Sequence, residues 1–111
     1  MIEKVVMDYL NERLPVDVLM EEDGKTRLEY VLIEKTGSGT ENHIKSAMFA
    51  IQSYSDTLYK AALLNEEVIA AMNEITMLDD VCKSTLNSDY NFTDATKKQY
   101  RYQAVFDLVH Y

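Results

Sequence analysis

Apolar residues between positions 2 and 14 fall at Ile2, Val5, Val6, Tyr9, Leu10 and Leu14, the recurrence of one helical face. Glu3, Lys4, Asp8, Asn11 and Glu12 take the other side. Pro15 cannot donate into a helix and pushes Leu14 out of helical conformation, so the helix is expected to end there. Val16–Met20 then reads as a short strand. Asp23-Gly24 in the acidic run EEDGK carries a hairpin signal. RLEYVLIEKT has apolar residues on both faces, which predicts a more central strand. GSGTEN, at 37–42, reads as a flexible hairpin tip.

HIKSAMFAIQSY fits either period, as a helix through Ile44, Ala47, Met48 and Ile51 or as an alternating strand. A strand is preferred because a cleaner helix with its own cap, at Ser55 or Asp56, begins just after it. That helix is expected over roughly 56–76, with Leu58, Ala61, Ala62, Val68, Ile69, Met72 and Ile75 in one phase and Asn65 in the seam. Cys82, Ser84, Leu86, Ser88 and Tyr90 alternate with polar neighbours as a further strand. NFTDATKKQ follows as a loop. The chain closes on a strand with Tyr100, Tyr102, Ala104, Phe106 and Leu108 on its buried face. The order α-β-β-β-α-β-β predicts an α+β fold, with a mostly antiparallel sheet of about five strands and helices on one face. The first three strands are expected to form a meander.

The 111 residues suit a single domain, 1–111. A net charge of −8 repels phosphate, so direct nucleic-acid affinity is disfavoured. Lys97, Lys98 and Arg101 form the densest basic stretch and read as a solvated loop and strand start. Cys82 is the one cysteine; it makes no internal disulfide and reads as a small buried residue in a reducing compartment. The charged amphipathic stretch after Met1 does not read as a signal peptide, and no apolar run approaches membrane-spanning length.

Candidate chemistry is sparse. His43 and His110 have no histidine or cysteine partner at metal-ligand spacing. A metal-dependent nuclease would draw on Asp17, Asp23, Lys25, Glu34 and Lys35, but the D-x-K tripeptide Asp23-Gly24-Lys25 falls on a predicted turn. No G-x-S-x-G elbow, P-loop or G-x-G-x-x-G occurs. The expectation is a non-enzyme with no metal and no cofactor. Of the eight tyrosines, Tyr90, Tyr100, Tyr102 and Tyr111 come late in the chain and read either as a wet interface or as caps on the core edge.

The segments YVLIEKTGSG, AIQSYSDTLYKAALLNEEVIAAM and, most specifically, LNSDYNFTDATKKQYRYQAVFDLVHY resemble the tail terminator and tail-completion proteins of tailed phages, in the versions carried by phages and prophages of Gram-positive bacteria. The likeness runs from about residue 28 to the end. It implies a virion protein of the head–tail joint, made in the host cytoplasm. Such a protein assembles as a ring, typically a hexamer, on the head-proximal end of the tail tube. It stops tube growth, meets the head connector or adaptor proteins, and lets DNA pass through without specific binding. It implies no membrane partner.

Within that expectation, the candidate interface residues are Thr36, Ser38, Thr40, Glu41 and Asn42 in the glycine-containing loop, with Tyr100, Arg101, Gln103, Asp107 and Tyr111 on or beside the last strand. The loop at 91–99 is a second candidate contact. Three rivals remain: another neck component such as a head-completion or adaptor protein, the nuclease, and a soluble regulatory binding module.

Overall fold

The computed structural model describes residues 1–97 and 99–111. Lys98, part of the basic stretch noted above, lies outside the described residues. Helix α1 spans Ile2–Arg13 and is followed by strands β1 (Asp17–Leu19), β2 (Tyr30–Glu41) and β3 (Ile44–Ser55). Helix α2 (Leu58–Asn73) comes next, then a 3-10 turn at Ile75–Met77, and finally β4 (Val81–Asn91) and β5 (Tyr100–His110). One five-stranded sheet runs in the order β1-β2-β3-β5-β4. Every pairing is antiparallel except β1 with β2. The fold is α+β, as the sequence predicts.

Both helices pack on one face of the sheet. Val6, Tyr9 and Leu10 of α1 and Leu64, Val68, Ala71 and Met72 of α2 join one core with Val31, Ile33, Phe49, Ile51, Ala104, Phe106 and Leu108. The alternation of a strand puts those sheet residues on the same side. Phe49 and Phe106 are paired across β3 and β5 and fully buried. Burial of each side chain stabilises the fold by roughly 2–3 kcal/mol. The Tyr9 hydroxyl donates to the Ala71 carbonyl at 2.6 Å and fixes α1 to the end of α2.

Local chemistry explains the boundaries. Leu14, before Pro15, is extended, and its N–H closes α1 on Leu10 at 2.8 Å. The cap of α2 is Thr57 rather than Ser55 or Asp56: its hydroxyl accepts the Lys60 N–H at 3.1 Å. The helix stops at Asn73, where Glu74 bonds back to Ala71 and the chain tightens into the 3-10 turn, so the expected 56–76 span is shorter by a few residues.

Three expectations are corrected. Asp23-Gly24 does not make a hairpin, because β1 runs parallel to β2 and no three-stranded meander forms. Gly24 has φ +79° and turns the chain, while Asp23 accepts from the Lys25 N–H at 3.1 Å and pairs with the Arg27 guanidinium. Residues 37–41 are not a loop but the distal half of β2, and the tip is only Asn42 and His43, both at positive φ. Cys82 is exposed, not buried, because irregularities at Cys82 and Asn87 break the alternation of β4.

Candidate interface: the open face and edges of the sheet

The face of the sheet away from the helices carries Tyr30, Leu32, Met48, Ala50, Gln52, Tyr54, Arg101, Gln103, Val105 and Asp107, as the pairings require. At the end near β1, its polar and aromatic groups form a connected array. Tyr30 and Tyr54, opposite one another, stack with ring centroids 4.5 Å apart and planes 5° from parallel. The Tyr54 hydroxyl donates to Gln52 Oε1 at 2.9 Å and accepts from Arg101 Nη1 at 2.9 Å. Gln52 Nε2 donates to Gln103 Oε1 at 2.8 Å, and Gln103 Nε2 donates to the Tyr90 hydroxyl. Tyr90 meets Phe92 edge-on at 5.8 Å, and Arg101 lies 4.5 Å over the Phe92 ring. The array thus crosses β2, β3, β5 and β4 without a break.

Two connections lap this end of the face. From the segment after β1, Glu22 accepts the Tyr30 hydroxyl at 2.8 Å. From the segment after β4, the Phe92 carbonyl accepts Arg101 Nε at 2.6 Å. Burial, and then the Glu22 carboxylate, push the Tyr30 hydroxyl well above its ordinary pKa. The phenol therefore stays protonated and keeps donating.

The residues singled out from the sequence separate into two groups. Thr36, Ser38, Thr40 and Glu41 lie on the distal half of β2, where residues 34–41 are all exposed, and Asn42 is in the turn. The Thr36 hydroxyl reaches the Met48 carbonyl at 3.4 Å across the irregularity in β2. Tyr111, exposed just beyond β5 and bonded through its N–H to Asp80, stands at this same end of the sheet. Arg101 and Gln103 belong to the array at the opposite end, where Tyr100 begins β5. Asp107 sits between the two groups and accepts from Asn87 at 3.1 Å. The late tyrosines do not cluster: Tyr90 is on the open face, the register puts Tyr102 on the helix side, and Tyr111 is at the far end.

Sequence reasoning missed Tyr30, Gln52, Tyr54 and Phe92. Their signal is visible only once β2, β3 and β5 are in register, since each residue is locally an ordinary strand or loop position. The nuclease set does not converge on an open site. Both oxygens of Asp23 are taken by Arg27, whose guanidinium also reaches Asp17 at 2.9 Å. That pairing holds the Asp23 carboxyl far below the usual range, so it acts as a fastener for the turn. Lys35 pairs instead with Glu3 of α1 at 3.3 Å. Among the described residues, no group of three His, Cys, Asp or Glu is placed to hold a metal. No described helix is long and apolar enough to cross a membrane.

No protein-family model matches the chain, and no curated protein matches it. A solved structure from Akkermansia muciniphila, of a protein without its transmembrane region, is 21% identical over 74% of this chain and 44% of that one, with a TM-score of 0.36. The chain spans less than half the length of that protein, and a superposition this loose carries no argument.

Proposed function

We propose that this protein is a structural component of the head–tail joint of a tailed phage or prophage, capping the head-proximal end of the tail tube as a ring. The observation that supports it best is a sheet with an open edge on each side. On one side the distal half of β2 lies beyond the three residues that β1 covers, and on the other side, among the described residues, β4 is paired only with β5. A ring is built by repeating one head-to-tail contact by rotation, and that needs two different surfaces on each copy. Open strand edges supply such surfaces.

The sequence likeness in SDYNFTD and YRYQAVFDLVHY adds to this support, since these residues form β4, the connection after it and β5. Charge is compatible. Six copies at −8 each would surround passing DNA with negative potential and repel its phosphates. The exposed β2–β3 tip and residues 92–97 after β4, at opposite ends of the sheet, are suited to meet tube and connector on either side of a ring. The tyrosine–arginine array holds the second of these in place before any docking.

Electron microscopy of tail tubes assembled from the tube protein of the same phage or prophage tests this proposal. The protein is expected at one end of each tube and is expected to stop further growth there. Binding to portal-side proteins with no binding to tube ends would favour a head-completion or adaptor role instead.

A further inference from the structure

The two open edges match each other. On one side, β1 covers β2 only at Tyr30–Leu32. The side-chain amide of Asn11 brackets Val18 on the backbone of β1, accepting its N–H at 2.9 Å and donating to its carbonyl at 3.1 Å. From Ile33 to Glu41, no described strand pairs with the outer side of β2. The register carries these residues across the sheet to β4. Thr40 pairs with Lys45, Lys45 with His110, and His110 with Val81. Ile33 pairs with Ile51, Ile51 with Ala104, and Ala104 with Asp89. The open part of β2 and the strand β4 from Val81 to Asp89 therefore occupy the same height along the strand axis.

Their directions also agree. β2, β3, β5 and β4 alternate in direction, so β2 and β4 run opposite ways. A repeat about an axis parallel to the strands keeps every direction. It brings β4 of one copy beside β2 of the next in antiparallel sense, with no sliding needed.

We propose that β4 of each copy pairs edge to edge with the distal half of β2 of the next copy, making one sheet continuous around the ring. This deepens the ring function proposed above and rests on it. Equal height places Lys35 opposite Leu86, Ser38 opposite Ser84 and Gly39 opposite Lys83. Between Ile33 and Thr40 no like charges face each other. Lys83 falls diagonal to Glu41, and Lys35 diagonal to Asp89, with opposite signs in both cases. The next level would set Glu41 against Asp80, two carboxylates, so the ladder stops at Thr40 and Val81. The irregularities at Thr36 and Asn87 both flank the Lys35–Leu86 level. They blunt each edge toward an ordinary strand and leave it suited to a partner irregular at the same place.

The chain's single cysteine provides the test. Cys82, exposed, lies between Val81 and Lys83, at the height of Thr40 and Gly39. In a Thr40→Cys variant, mild oxidation is expected to link Cys82 of one copy to the new thiol of the next. The product is a reducible ladder of covalent oligomers ending at the ring size. Thr40→Cys combined with Cys82→Ser should give no ladder. Tyr59→Cys, on the exposed side of α2, measures random collision. Each is run at high concentration, alone and with tube protein, with light scattering in parallel. Lys83→Glu in the otherwise unaltered chain should weaken self-association roughly 2- to 5-fold, with recovery on adding Glu41→Lys. Rings without a ladder above the Tyr59→Cys background would overturn the edge pairing and leave the ring function standing. No ladder and no ring, with or without tube, would overturn both.

Discussion

Replacing Tyr54 with Phe removes one oxygen from the centre of the open-face array. Tyr54 is 4% exposed, and its hydroxyl both donates to Gln52 and accepts from the Arg101 guanidinium. The stack on Tyr30 at 4.5 Å survives the change, as does nearly all of the buried area. The cost is therefore that of two hydrogen bonds, one of them to a charged donor. Gln52 and Arg101 are only half-buried, so water can reach the groups left behind and reduce the penalty. The net loss should be about 1–2 kcal/mol, well short of the roughly 3–5 kcal/mol of an aromatic-to-alanine truncation. For a chain of this length that lowers Tm by about 4–10 °C. Thermal unfolding followed by circular dichroism, with urea midpoints as a check, measures it. A Tyr54→Phe protein within about 1 °C of the parent would refute the array as a stabilising network. Strict additivity with Gln52→Leu would do the same, because bonded neighbours should couple.

Other expectations follow from single residues. His43 holds φ +67° in the two-residue turn without being glycine, so His43→Gly should stabilise by about 0.5–1 kcal/mol, seen as a higher urea midpoint. Asn65 is buried in α2 with its Oδ1 unpartnered and only a 3.3 Å bond from Nδ2 to Asp89; Asn65→Leu, of similar shape, should raise Tm, and a fall would show that the amide is needed. Acid should destabilise the fold. Glu3 is held below its ordinary pKa by a backbone hydrogen bond, Asp23 by Arg27, Asp56 by Ser55 and Asp94 by Thr96. Groups depressed in the folded state contribute stability above their unfolded pKa and lose it as pH falls through the folded one, so Tm should decline below about pH 4. Burial raises the pKa of Tyr9 and Tyr30, a contribution fully present below about pH 10 and lost as pH climbs through the folded values, so a second decline is expected in strong alkali.

Much of the fold was legible because hydrophobic period reports burial directly. The stripe from Ile2 to Leu14, the seam of α2 and the alternation of Ala104, Phe106 and Leu108 each mark a side facing one core. The ambiguous segment at 44–53 resolves as β3, paired on both sides, with Phe49 and Ile51 toward the helices and Met48 and Ala50 away. Three features were hidden for physical reasons. Gly37, Ser38 and Gly39 look like a loop because exposed strand residues need no apolar alternation, and only the Asn42-His43 turn is truly unpaired. β1 pairs in parallel with β2 and is bracketed by Asn11 of α1, long-range contacts that the turn residues Asp23-Gly24 do not reveal. Irregularities in β4 shift its phase, so Cys82 faces water. The open-face array was invisible for a related cause, since its members lie on four strands and two connections and meet only through register. The candidate interface residues on β5 were legible as the less apolar face, but their division between two ends of the sheet was not.

Molar mass by light scattering, over a range of concentrations and with and without purified tail-tube protein, tests the head–tail joint proposal most directly. A ring of about six times the 12.8 kDa of one chain, or a single chain that becomes a ring only at the tube end, is the predicted result. A single chain that stays so at every concentration and ignores the tube would contradict it.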